Sequence, residues 1–198
     1  MDNCKYYESG NSIGSKYPVF CITPNDALDF CKALSKMTNL KYDLPSAVEW
    51  EMASNKKSVT FHYSGSDNID DVGWSGKSMP AGLKSPNSYG IFDMSGNVAE
   101  ICKYGDGFAL KGGKPWGNYR VSTKYTFKHI LKDMSSPYVG FRVIMRVPTG
   151  VDISETDVSL DSISPRTSPR IHSWVVDILS PAVPAGALVV RVIQMPVG

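Results

Sequence analysis

The side chains of this chain best suited to chemistry crowd into one stretch. Trp116, Asn118, Tyr119, Arg120, Tyr125, Phe127 and His129 stand within a few residues of one another. Alternate residues of a strand project to one face, so Trp116, Asn118 and Arg120 could line a site together. Stacking rings with Arg and Asn donors suit a sugar or a peptide. The competing reading is that Trp and Tyr simply fill a small core. Trp74, in a long polar stretch, carries the same two readings. Other chemistries find little support. His62, His129 and His172 are isolated, with no His-x-x-x-His pair and no 2-His-carboxylate spacing. Gly112-Gly113-Lys114 is not a phosphate loop, because Phe108 stands at the first glycine position and Pro115 replaces the Ser/Thr. There is no Gly-x-Ser-x-Gly nucleophile elbow.

The elements that must hold these residues are readable in part. Tyr17–Thr23 (YPVFCIT) reads as a short strand. Ala27, Phe30, Cys31 and Leu34 then fall at helical period, with Asn25 as N-cap and an end near Thr38-Asn39. Ser46 and Glu49 form a capping box for a second helix from about Ala47 to Ser54. Residues 55–90 are rich in Gly, Ser, Asn and Pro, a long structured loop of the kind that carries function. Strands resume at Gly107–Lys111, Tyr119–Thr123 and Val139–Val147. Pro148–Arg170 reads as a linker or surface-wrapping segment. Trp174–Leu179 and Ala187–Ile193 read as two further strands. Two strands alone are marginal in water, so this tail must pair with the domain or with another chain.

The chain has 198 residues, 42% hydrophobic and 20% charged, with a net charge of +2. That is enough apolar material for a core, and the scattered charges give no case for nucleic acid. No apolar run approaches the roughly 20 residues of a membrane helix. Met1-Asp2-Asn3-Cys4-Lys5 has no apolar leader, so a signal peptide is not expected. Cys4, Cys21, Cys31 and Cys102 form no Cys-x-x-Cys pair and are expected to be buried free thiols in a reducing cytosol.

Six pieces of the chain, in order and spacing, resemble the formylglycine-generating enzyme/sulfatase-modifying-factor family, a branch of the C-type-lectin-like fold. They are Tyr17-Pro18-Val19 with Asp26-Ala27 and Phe30-Cys31; Tyr42 with Leu44-Pro45, Glu49-Trp50-Glu51 and Ala53; Asn87-Ser88-Tyr89-Gly90; Phe92-Asp93-Met94-Ser95-Gly96-Asn97-Val98 with Glu100; Lys111-Gly112-Gly113; and Gly140-Phe141-Arg142. The resemblance spans roughly residues 17–147. It implies an α+β fold with two helices, a small twisted sheet and much irregular loop. Outside it, the polar residues 1–16 read as an arm and residues 148–198 as a linker and β-rich tail. The family's further strands upstream are missing here, so the tail or a neighbouring subunit would complete the sheet.

The same resemblance makes Asp93, Gly96, Val98 and Glu100 a candidate Ca2+ site of two carboxylates and two turn carbonyls. The alternative is that Asp93 and Glu100 cap the turn. The oxidase members hold copper on two cysteines after the Gly-Gly pair. Here that stretch reads Lys114-Pro115-Trp116-Gly117-Asn118-Tyr119-Arg120, so no copper is expected. The expectation is a non-catalytic binding or structural module, a virion-associated protein from phage tail or capsid surface. It would recognise a glycan or protein receptor, and residues 148–198 would join it to other virion subunits or copies of itself. It would be made in the host cytoplasm and displayed on the virion, or remain cytoplasmic. An enzyme working through other residues and a purely structural decoration protein are the alternatives.

Overall fold

The computed structural model describes residues 17–54, 61–113, 127–146, 174–179 and 187–194. Three helices lie among them: α1 (Pro24–Thr38), α2 (Ala47–Ser54) and the short α3 (Ile69–Val72). The sequence offered two; α3 is a single turn capped by the Asn68 side chain, too short to leave a period. The strands are β1 (Lys41–Asp43), β2 (Ala99–Tyr104), β3 (Gly107–Lys111), β4 (Phe127–Ile130), β5 (Val139–Arg146), β6 (Trp174–Leu179) and β7 (Ala187–Gln194).

Helix α1 starts earlier than Asn25 would have it. Thr23 is extended (φ −91°, ψ 161°), and its Oγ1 accepts the Asp26 N–H at 3.1 Å. Asp26 Oδ2 in return accepts the Thr23 N–H at 2.9 Å. Pro24 takes the first helical position, where its missing N–H costs nothing. Asn39 closes the helix in the left-handed region, φ 58°. Ala27, Phe30, Cys31 and Leu34 are all buried, as their spacing required. Helix α2 keeps its expected bounds. The Ser46 N–H donates to Glu49 Oε2 at 2.8 Å, and the Glu49 N–H to Ser46 Oγ at 3.2 Å.

Tyr17–Thr23 is not a strand. Pro18 cannot donate to a ladder, and Cys21 sits at φ 60°, so the run bends and makes single backbone contacts, such as the Cys21 N–H on the Ser136 carbonyl at 3.0 Å, in place of a ladder. Val19 and Ile22 still reach the core.

The sheet order is β4-β3-β2-β5-β7-β6, with β1 also pairing β5. Strands β2 and β5 run parallel; the other pairings are antiparallel. The β5 residues alternate between two cores. Phe141, Val143 and Met145 join Phe30, Leu34, Leu44 and Ile101 beneath α1. Ile144 joins Trp50, Ile91, Met94 and Cys102 beneath α2. Strand β5 is therefore buried on both faces, which accounts for its near-continuous apolar run. The tail joins the same sheet: β7 pairs β5 from Arg142↔Arg191 to Arg146↔Ala187. The strand expected at Tyr119–Thr123 lies outside the described residues.

Cys31 and Cys102 are free and buried. Cys21 is disulfide-bonded, which corrects the expectation of thiols throughout. Disulfides persist in oxidising surroundings, so cysteine usage does not support a reducing compartment. Among the described residues no helix is long and apolar enough to cross a membrane.

Candidate functional site

The turn at residues 93–97 is latched from three sides. Asp93 and Asn97 take left-handed backbone angles, φ 51° and 65°. The Gly96 N–H donates to the Gly112 carbonyl at 2.7 Å, and the Asn97 N–H to the Trp74 carbonyl at 3.1 Å. The buried Asn97 amide then works as a backbone surrogate. Its Oδ1 accepts the Met79 N–H at 3.0 Å, and its Nδ2 donates to the Met79 carbonyl at 3.0 Å. Asp93 Oδ2 accepts the Gly82 N–H at 2.9 Å. One turn thereby fixes the long polar loop and the end of β3 together.

A second network ties that loop to α2. Ser64 Oγ donates to the Ser54 carbonyl at 2.6 Å, and Asn87 Nδ2 donates to the Ala53 carbonyl at 2.8 Å. The Ser64 N–H reaches Ser95 Oγ at 3.0 Å. Ser54, Ser64, Asn87 and Ser95 are all buried. Buried polar groups that are satisfied in this way fix a loop in one arrangement.

Below the turn lies a buried ionic centre. Arg142 engages Glu100 through Nε and Nη2, and Trp50 Nε1 donates to Glu100 Oε2 at 2.5 Å. Lys111, its side chain fully buried, extends Nζ to Glu51 Oε1 at 2.7 Å and lies 5.5 Å from the Trp50 ring centroid. Gly112 follows at φ +84°, and a Cβ there would stand 3.2 Å from Trp50 Cζ2. Only glycine suits both that angle and that gap. Sequence reasoning missed the Glu100–Arg142 contact. Its trace was one charged residue inside each of two apolar runs, Val98–Cys102 and Val139–Met145.

Of the candidate cation ligands, Glu100 balances Arg142 and already accepts three donors, two from Arg142 and one from Trp50. Asp93, Gly96 and Val98 serve the turn or the core around it. Among the described residues no group of three or more His, Cys, Asp or Glu side chains is placed to hold a metal ion.

Trp74 is half-buried, with its carbonyl in the turn latch. Lys84 Nζ stands 4.3 Å from the ring centroid, a cation–π contact on one face. Trp116, Asn118, Tyr119, Arg120 and Tyr125 lie outside the described residues. The ends of their segment are fixed, however. Strand β3 leaves at Lys111 and β4 enters at Phe127, antiparallel neighbours with Leu110 opposite Phe127. The connection thus starts and finishes side by side on a rigid sheet, the arrangement by which scaffolds present binding loops. On the returning strand, His129 is exposed, with its ring edge-on to Tyr104 at 5.8 Å.

The free thiols are sealed. Burial, with Asp43 adding, pushes Cys31 up to about 12. Burial, with Glu100 adding, pushes Cys102 well above the ordinary thiol range. Neither is available as a thiolate.

Comparison with known proteins gives one family and several solved structures that share the fold. Residues 3–147 match the model of the sulfatase-modifying factor enzyme 1-like domain. A protein of Paenibacillus barcinonensis named chaperone protein LppX is 30% identical, over 45% of this chain and 52% of its own. The chain spans about half the length of that curated relative. Among solved structures, Treponema denticola variable protein 1 superposes with a TM-score of 0.61 at 21% identity, over 70% of this chain and 75% of that one. CarF gives 0.56 at 23%, over 65% and 67%. PvdO from Pseudomonas aeruginosa gives 0.54 at 20%, over 66% and 62%. At these identities the structures attest the fold.

Proposed function

This chain belongs to the sulfatase-modifying factor enzyme 1-like domain family, and we propose that it is a non-catalytic member that presents the segment between β3 and β4 to a ligand. The observation that carries this reading is the placement of its cysteines. None stands between Gly113 and the end of the chain, and the two free thiols described are enclosed in the core with their thiolate forms disfavoured. Copper chemistry on soft sulfur has no ligands to start from. What remains is a heavily latched loop scaffold, which is how a recognition surface is kept rigid at low entropic cost.

The ligand proposed is a glycan or a protein on a host surface, with the chain displayed on a virion. The fold shared with a protein named as variable supports a recognition role for the scaffold. A protein ligand is favoured by the relative named as a chaperone. Residues 148–198 are proposed to join copies of the chain.

The test is direct. The purified chain is applied to a glycan array and to host envelope fractions, while oxygen uptake is followed with Cu(I) and thiol substrates. Saturable binding abolished by Trp116→Ala with Arg120→Ala, and no oxygen uptake, supports the module. Copper-dependent turnover would overturn it.

A further inference from the structure

The two ends of the sheet are unlike each other. At one end β4 is blunted: its register with β3 shifts between Phe108 and Ala109, and His129 sits at φ 60°. Lys128 lies within β4 and Lys132 follows it. Bulges and lysines are the devices that keep an edge from pairing with another chain. At the other end stands β6, Trp-Val-Val-Asp-Ile-Leu, with no proline, glycine or lysine. Strand β7 is hydrogen-bonded on both sides, to β5 and to β6, and is closed to a newcomer. Among the described residues no strand lies beyond β6.

Asp177, the one charged residue of β6, stands opposite Arg191 of β7 in the register, a position of opposite charge type.

From this contrast we propose that β6 pairs edge to edge with β6 of a second copy of the chain, antiparallel about a two-fold axis. The inference deepens the assembly role proposed above for residues 148–198 and rests on that part of it. Symmetry restricts the register. A two-fold axis normal to the sheet makes one residue face its own copy, and residues summing to the same number face each other. Centring on Asp177 would oppose two carboxylates. Centring on Val176 opposes Val176 to Val176, Trp174 to Ile178, and Val175 to Asp177. That register sets aromatic and β-branched residues across from each other on one face, the favoured cross-strand combination. The same face runs on through Val192 and Val190 of β7 to Val143 of β5, whose side chain is buried in the α1 core. The contact would therefore extend an apolar face the fold already has.

The experiment uses the full chain. Mass in solution is measured by light scattering for the native protein and for Val176→Lys, with far-ultraviolet dichroism as a check on folding. Amide exchange is followed across residues 174–179. The expected result is a doubled mass, protection at every β6 amide, and a return to single mass in Val176→Lys with protection left on alternate amides only. Oxidation should join Val176→Cys to itself and leave Val175→Cys unjoined. A single-mass native chain with alternate β6 amides unprotected would overturn the inference and the assembly role together, leaving the recognition role intact. A doubled mass unaffected by Val176→Lys would overturn the edge pairing and leave assembly standing.

Discussion

Arg142 lies side-on against Glu100, its Nε 2.5 Å from Oε2 and its Nη2 2.6 Å from Oε1. The side chains are 1% and 8% exposed. The two residues come from neighbouring parallel strands, and Trp50 of α2 completes the contact from above. Helix α2, β2 and β5 therefore meet at one buried carboxylate.

Breaking this pair should be far worse than replacing it. Arg142→Met leaves a buried carboxylate with Trp50 alone, and a loss of about 3–5 kcal/mol is expected. Replacing Glu100 and Arg142 together by Leu and Met should recover much of that loss. Urea unfolding of the two singles and the double reads it. Singles within about 1 kcal/mol of the native chain would show that water reaches the pair and screens it.

Glu49 makes stability depend on acid. Burial tends to raise its carboxyl, but the Arg146 and Ser46 hydrogen bonds outweigh burial and hold it below the usual range. A depressed folded value means a contribution that is full above the ordinary carboxyl range and is lost as pH falls from that range through the lowered folded value. Glu49→Gln should cost about 1 kcal/mol at neutral pH, as lost helix caps do. The gap from the native chain should narrow below about pH 4. A gap that stays constant from pH 7 to pH 3 would rule out the charge as its source.

Gly140 sits where β5 passes the N-terminal run. A Cβ there would stand 2.3 Å from the Val19 carbonyl oxygen and 3.2 Å from Val98 Cγ2. Backbone oxygen cannot swing aside as a side-chain tip can. Gly140→Ala should destabilise by at least about 1–3 kcal/mol, seen as a lowered thermal midpoint. An unchanged midpoint would mean that the Val19 segment is free to move off the sheet.

Cys31 and Cys102 should resist thiol reagents in the folded chain at pH 8 and react promptly in denaturant. Two free thiols per chain counted only after unfolding is the expected titration. Fast labelling of either in the native state would contradict their enclosure, and with it the argument against copper.

Much of the frame was legible in the sequence because local physics writes it there. A capping box is four residues long, a helical stripe repeats within two turns, and a Gly-Asn turn carries its own backbone requirement. Ser46 with Glu49, the Ala27-to-Leu34 stripe and the left-handed Asn97 are of this kind. The family pieces were legible for the same reason, as short runs in a fixed order. Other features were settled by contacts between distant residues, and no local pattern announces those. Lys41–Asp43 and Ala99–Tyr104 are strands because β5 and β3 offer them ladders. Tyr17–Thr23 has strand-like residues, yet Pro18 and the turn at Cys21 deny it a ladder. The pairing of Glu100 with Arg142 was visible only in the fold, since a carboxylate's partner is fixed by burial and approach, not by its neighbours in the chain. The tail's place in the sheet was likewise decided only when β5 presented an open edge for β7 to occupy.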